Sequence, residues 1–164
     1  MQLVELGLKD VEAIRLILND AILNTNAIYD EQPRSAEVVQ GWTSAQLQNR
    51  RPIVGLVDEN RTLVGYGTYG TFRVLPGYRL TVEHSIYVLP DRRGQGLGRR
   101  LLDDLIRRAT ADGLHTMVGV IDSENAASRR LHEKAGFTLI GTMPEIAIKF
   151  GRWLDVCLYQ KLLK

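Results

Sequence analysis

The chain has 164 residues, 45% hydrophobic and 24% charged, a balance that predicts one compact domain over residues 1–164 with an ordinary buried core. Its net charge of +2 is too small to point to nucleic acid or an anionic membrane surface, and the arginine pairs Arg92-Arg93, Arg99-Arg100, Arg107-Arg108 and Arg129-Arg130 come without a nucleic-acid reader motif. No secretory leader and no apolar run of membrane-spanning length is present, so a cytoplasmic protein is expected, and the single Cys157 excludes an internal disulfide.

Gln2 to Glu5 reads as a short strand, and Asp10 is placed to cap a helix whose apolar stripe is Val11, Ile14, Ile17, Leu18, Ala21 and Ile22. A polar loop over Asn24 to Arg34 leads to Ser35, a second capping residue, ahead of a helix carrying Val38, Val39, Trp42 and Leu47. Pro52 to Val57 and Thr62 to Phe72 form a predicted hairpin about Glu59-Asn60-Arg61, and Gly65, Gly67 and Gly70 mark a bulged or closely approached strand. Pro76-Gly77 turns the chain into Leu80 to Val88, an alternating run rich in β-branched and aromatic residues. Leu97, Leu101, Leu102, Leu105, Ile106 and Ala109 recur at helical spacing in a helix that ends near Gly113. His115 to Ile121 is the next strand, Ser123 is placed to cap a helix that stops at Gly136, and strands over Phe137 to Ile148 and Trp153 to Leu162 close the chain. This order is that of a mixed, mostly antiparallel α/β sheet flanked by helices, without internal repeats, and Cys157 falls in its last strand as a core thiol.

The junction Arg93-Gly94-Gln95-Gly96-Leu97-Gly98 bridges the Leu80 to Val88 strand and the helix after it. Glycines let the backbone turn tightly and bring N–H groups to a ligand, while a helix N-terminus adds unpaired donors and partial positive charge. The alternative is a plain strand-to-helix turn. The first strand carries no dinucleotide loop, the pattern at this junction is Arg-x-x-Gly-x-Gly instead of Gly-x-Gly-x-x-Gly, and no lysine followed by Ser or Thr closes it as in a P-loop. Arg93 with Gly96 and Gly98 directly after a strand instead resembles the acyl-CoA pyrophosphate loop of the GNAT superfamily of N-acetyltransferases.

Glu83 lies on the strand before that loop, where a carboxylate in a half-buried sheet is costly unless paired, solvated or used. Amine acetylation needs a proton acceptor, which a carboxylate supplies directly or through water; an ion pair with Arg79 or a solvated face is the structural alternative. Asn125, Ser128 and His132 fall along one side of the helix before Gly136-Phe137. In the superfamily this helix commonly reads Asn-x-x-Ala-x-x-x-Tyr, so Ser128 and His132 stand here for the Ala and Tyr, and His132 is a candidate acid or stabiliser for the departing thiolate, or a ring that merely packs.

A narrower resemblance is carried by Thr81-Val82-Glu83-His84-Ser85-Ile86-Tyr87-Val88, by Leu131-His132-Glu133-Lys134-Ala135-Gly136-Phe137 and by Lys149-Phe150-Gly151-Arg152-Trp153-Leu154-Asp155-Val156, with Thr71-Phe72-Arg73 and Tyr78-Arg79 ahead of them. Together these are similar to the phosphinothricin/methionine sulfoximine N-acetyltransferase family, over nearly the whole chain. The resemblance implies the GNAT fold and direct acetyl transfer from acetyl-CoA to the α-amino group of a small amino-acid-like substrate, with no metal. It places Glu83 at the base position and Arg73 at the site of the substrate carboxylate, a task suited to a planar bidentate donor. Tyr78 and His84 join as substrate contacts, although strand alternation turns His84 away from Glu83. Pantetheine is expected to pair with the backbone of Ile86, Tyr87 and Val88 as an added strand would. Pyrophosphate is expected on the N–H groups of Arg93, Gly94, Gln95, Gly96, Leu97 and Gly98, with Asn125 and Ser128 beside it.

The same resemblance suggests a homodimer in which the Lys149 to Trp153 turn reaches a neighbouring active site, with Trp153 as a core anchor the alternative. Asn26-Ala27 and Met143 to Ile148 depart from the family pattern, which leaves the amine open: another amine, such as a peptide N-terminus or a polyamine, and a non-catalytic acetyl-CoA-binding module are the competing readings. The three scattered histidines form no ligand cluster and no Gly-x-Ser-x-Gly elbow occurs.

Overall fold

Strand alternation sorts the apolar side chains onto two faces, and the helices follow. In the computed structural model, which describes residues Met1 to Lys164, the strands are β1 (Gln2–Glu5), β2 (Ile53–Val57), β3 (Leu63–Thr71), β4 (Thr81–Val88), β5 (Thr116–Asp122), β6 (Thr138–Lys149) and β7 (Arg152–Leu162). The helices are α1 (Val11–Asn24), α2 (Ala36–Gln48), α3 (Leu97–Ala111) and α4 (Ala126–Lys134). All strands join one sheet in the order β1-β2-β3-β4-β5-β7-β6. Every neighbouring pair is antiparallel except β4 and β5, whose connection runs through α3.

On one face Val54, Leu56, Val82, Met117 and Tyr159 pack with Leu101, Leu102 and Leu105 of α3. On the other, Ile53, Val57, Leu63 and Tyr66 pack with Ile14, Ile17 and Val39 of α1 and α2. The strand β2 is buried along its whole length because both faces are covered. Two of the three β3 glycines are demanded by close approach: a Cβ at Gly65 would lie 2.8 Å from the Tyr87 carbonyl oxygen, and one at Gly67 3.0 Å from Leu105. Cys157 is buried, as expected of a core thiol.

Helix starts differ from the sequence reading at two places. Asp10 ends a short 3-10 turn and its carboxylate accepts from the Gly7 N–H, not from α1. Ser123 does not cap α4, because its N–H donates to the Asp155 carbonyl and the chain turns once more through Asp122 to Asn125. Asn125 is the cap, its Oδ1 accepting from the Ser128 N–H at 3.0 Å. The Ser35 cap on α2 is as expected, accepting from the Val38 N–H.

Lys149 turns inward. It is 2% exposed, and its Nζ donates to the carbonyls of Ile22 at 2.6 Å, Thr25 at 2.5 Å and Ile28 at 2.6 Å. Three acceptors require three hydrogens, so the group is an ammonium. Beside it the Phe150 N–H donates to Glu31. Together they tie the loop after α1 to the turn between β6 and β7, while Trp153 stays 61% exposed and so anchors no core.

Candidate active site

Glu83, Ser85 and Tyr87 share one face of β4 and open into a cavity of about 490 Å³. Trp42 and Gln46 of α2, Arg34 before it, and Tyr66 and Thr68 of β3 line the rest. Gln46 Nε2 donates to Thr68 Oγ1 at 2.7 Å, and that hydroxyl donates to the Pro52 carbonyl, which fixes one wall. Glu83 is half-buried and has no ion pair with Arg79. Burial raises its pKa from the ordinary carboxylate value of 4.5, and the Arg73 guanidinium pulls the other way. A carboxylate with a raised pKa and no committed partner suits proton acceptance.

Arg73 and Tyr78 both lie on the exposed segment between β3 and β4, each against Phe72: the Arg73 guanidinium is 5.4 Å from that ring and Tyr78 meets it edge-on at 5.8 Å. Neither lines the cavity wall. Arg34 does, but its guanidinium is held by Asp30 at 2.5 Å. Sequence reasoning did not single out Arg34, Gln46 or Thr68, and Trp42 was read only as helix core. These come from three separate elements, and only the fold brings them opposite Glu83.

The register of β4 with β5 ends at Glu83 and Val118. Beyond this point Ile86, Tyr87 and Val88 keep their β3 partners but have no β5 partner, so the sheet forks there. At the mouth of the fork stands the glycine loop. Gly94 and Gly96 have φ of +75° and +76° with open space where a side chain would go, and α3 starts without a side-chain cap. Two left-handed glycines and the free N–H groups of a helix start form an anion cradle. Leu97 is buried in the core, so it offers only its backbone, while Gln95 is exposed. A Cβ at Gly98 would meet Leu131 of α4 at 3.4 Å, an ordinary contact distance. The Arg93 Nε donates to the Val88 carbonyl at 3.1 Å.

His84 lies on the opposite face of β4 from Glu83, as alternation requires, and is buried. This corrects its expected role as a substrate contact: it is absent from the cavity wall, and its Nε2 is 3.0 Å from His132 Nε2. The two rings stack at 4.9 Å, with Phe137 edge-on to both. Burial first, then the neighbouring His132, lowers the pKa of His84 to about 3. Burial also lowers that of His132, opposed by its bond to the Ser128 carbonyl. Both rings are therefore neutral near neutral pH.

The model of the acetyltransferase (GNAT) family matches residues 17–137. The chain is 47% identical to the L-methionine sulfoximine/L-methionine sulfone acetyltransferase of Pseudomonas paraeruginosa over 154 residues, covering 94% of this chain and 90% of that one. It is 31% identical to the phosphinothricin N-acetyltransferase of Streptomyces coelicolor, covering 94% and 92%. The crystal structure of a GNAT superfamily phosphinothricin acetyltransferase from Sinorhizobium meliloti in complex with acetyl-CoA superposes with a TM-score of 0.96 at 36% identity, over 99% of this chain and 88% of that one. With the forked sheet and its glycine cradle, these likenesses show that the chain belongs to the GNAT family, in the branch of the phosphinothricin and methionine sulfoximine acetyltransferases, and is an acetyl-CoA-dependent N-acetyltransferase.

Proposed function

We propose that the protein acetylates the α-amino group of a small amino-acid analogue of the phosphinothricin, methionine sulfoximine or methionine sulfone type, with Glu83 as general base. The observation that carries this is the uncommitted Glu83 carboxylate facing a cavity of about 490 Å³ beside the point where the sheet forks. That volume suits a small molecule rather than a folded partner. The names of the relatives support the substrate class.

Acetyl-CoA supplies the activated acyl carbon. The free edge of Ile86, Tyr87 and Val88 takes the pantetheine amides as a missing strand would, and the cradle from Arg93 to Gly98 takes the pyrophosphate. Asn125 and Ser128 flank it at the start of α4. Glu83 removes a proton from the ammonium, directly or through water, so that the neutral nitrogen attacks. His132, the candidate acid for the departing thiolate, is buried with its Nδ1 on the Ser128 carbonyl and its Nε2 against His84, so the C–S bond breaks to release the thiolate without a proton from this ring.

Arg73 holds the substrate carboxylate in this reading. Unlike Arg34 it has no carboxylate partner of its own, and it already acts on Glu83 across the site. Arg73→Ala is expected to raise KM for the amino acid by about 10- to 100-fold, the worth of a charged hydrogen bond, and to leave KM for acetyl-CoA unchanged. Steady-state kinetics with each substrate varied in turn checks this.

A second copy of the chain is the partner proposed for the exposed apolar stripe of Ile146, Ile148, Phe150 and Trp153, 50% to 61% accessible, beside the edge strand β6. Analytical ultracentrifugation is expected to show a dimer that Trp153→Arg converts to monomer.

The decisive experiment is acetyl-CoA-dependent thiol release across methionine sulfoximine, phosphinothricin, methionine sulfone, a polyamine and a short peptide. Turnover confined to the amino-acid analogues supports the proposal, and preference for the polyamine or peptide replaces it.

A further inference from the structure

The imidazole pair behind the fork fixes its own protons. The Nδ1 of His132 lies 2.6 Å from the Ser128 carbonyl oxygen, which only accepts, so the ring's hydrogen is on Nδ1 and Nε2 carries a lone pair. With His84 Nε2 only 3.0 Å from that lone pair, a second lone pair there would repel it. His84 therefore carries its hydrogen on Nε2 and donates to His132. Its Nδ1 follows as an acceptor, and it is the one buried side-chain nitrogen or oxygen of the chain that has no hydrogen-bond partner. Leaving an acceptor orphaned costs free energy, so the arrangement is held by something worth more.

Space confirms the fit. A Cβ at Gly119 of β5 would lie 3.1 Å from His132 Cδ2 and 3.2 Å from the Nε2 of both rings, so the pair occupies the volume a side chain would take. The ionisable side chain packed on the pair is Tyr159 of β7, whose hydroxyl is held by Glu133 and Arg129 of α4. Glu83, next in sequence, faces the other side of β4.

We propose that His84 is a positioning residue that locks His132 in its neutral Nδ1–H tautomer by occupying the Nε2 of that ring. The catalytic meaning rests on the acetyl-transfer reading above, whereas the tautomers do not. Proton acceptance is thereby confined to Glu83 on one face of β4, and the ring behind the other face keeps a fixed, neutral arrangement against β4 and Gly119 of β5.

Long-range proton–nitrogen correlation spectra of protein labelled with ¹⁵N-histidine test the lock directly. At neutral pH His132 should be protonated on Nδ1 and His84 on Nε2. His84→Phe keeps a ring but removes the donor, and losing a bond to the neutral form raises the pKa of His132. The acid limb of the kcat profile should move up by about one unit, a loss of about tenfold on the acid side with little change above pH 8. His84→Gln, whose amide can donate from a similar place, should restore the profile. Wild-type spectra with the proton on His132 Nε2 overturn the proposal whether or not any amine is acetylated, as does a His84→Phe profile that matches wild type. The stated tautomers with no turnover of the amino-acid analogues sink the substrate reading instead.

Discussion

Glu83→Gln is expected to lower kcat by about 10²- to 10⁴-fold, the usual worth of a positioned proton acceptor, while the protein melts at the same temperature or slightly higher. The second half of that expectation follows from the sign of the pKa shift. Burial raises the folded-state pKa of Glu83 above its unfolded value. A group shifted in this direction adds stability only while it is protonated; the contribution is complete below the unfolded pKa and is lost as pH rises through the folded one. At neutral pH the ionised carboxylate is therefore a strain on the fold, and a neutral amide of the same shape relieves it. Loss of both activity and melting temperature would show that Glu83 is a structural residue. Unchanged activity would remove it from the chemistry altogether.

For Lys149→Met the expected loss is in stability: about 3 kcal/mol, or roughly 6–12 °C in Tm, from three carbonyls each left short of a donor. Methionine matches the length of lysine and fills the channel, so the change removes hydrogen bonds without opening a large cavity. One of the three, Ile22, lies in the last turn of α1, where carbonyls have no partner within the helix and a positive charge is favoured. The ammonium thus caps α1 from the far end of the chain and pins the loop that leads to Arg34 at the cavity wall. Thermal unfolding followed by circular dichroism measures the loss. A shift within about 2 °C would mean that water replaces the ammonium at all three oxygens.

Helices and strands were legible because their apolar positions repeat at the periods of the two structures, and the turn and loop residues between them are informative. The glycine turn between β4 and α3 and the place of Glu83 on β4 were legible too, since both depend on neighbours in sequence. Lys149 was not. Beside Phe150 and Arg152 it reads as an exposed basic turn, and the carbonyls that bind it leave no mark in the side-chain code. The separation of His84 from Glu83 followed from alternation, but its pairing with His132 depends on Gly119, a third segment. Ser123 and Asn125 are both good caps; which of them starts α4 was decided by the Asp122 turn and the Asp155 carbonyl.

The fork also makes the sheet a seam. Three register pairs at its closed end join the β1 to β4 half to the β5 to β7 half, and past them a row of β4 amides faces no strand. A cofactor lying in that gap would stitch the halves together. Its binding free energy would become resistance to unfolding, about 2.7 kcal/mol when its concentration is a hundredfold above Kd. The lifetime of the protein in a cell would then follow the supply of its own acyl donor: short of acetyl-CoA the seam opens more often to proteases, and in plenty it stays closed.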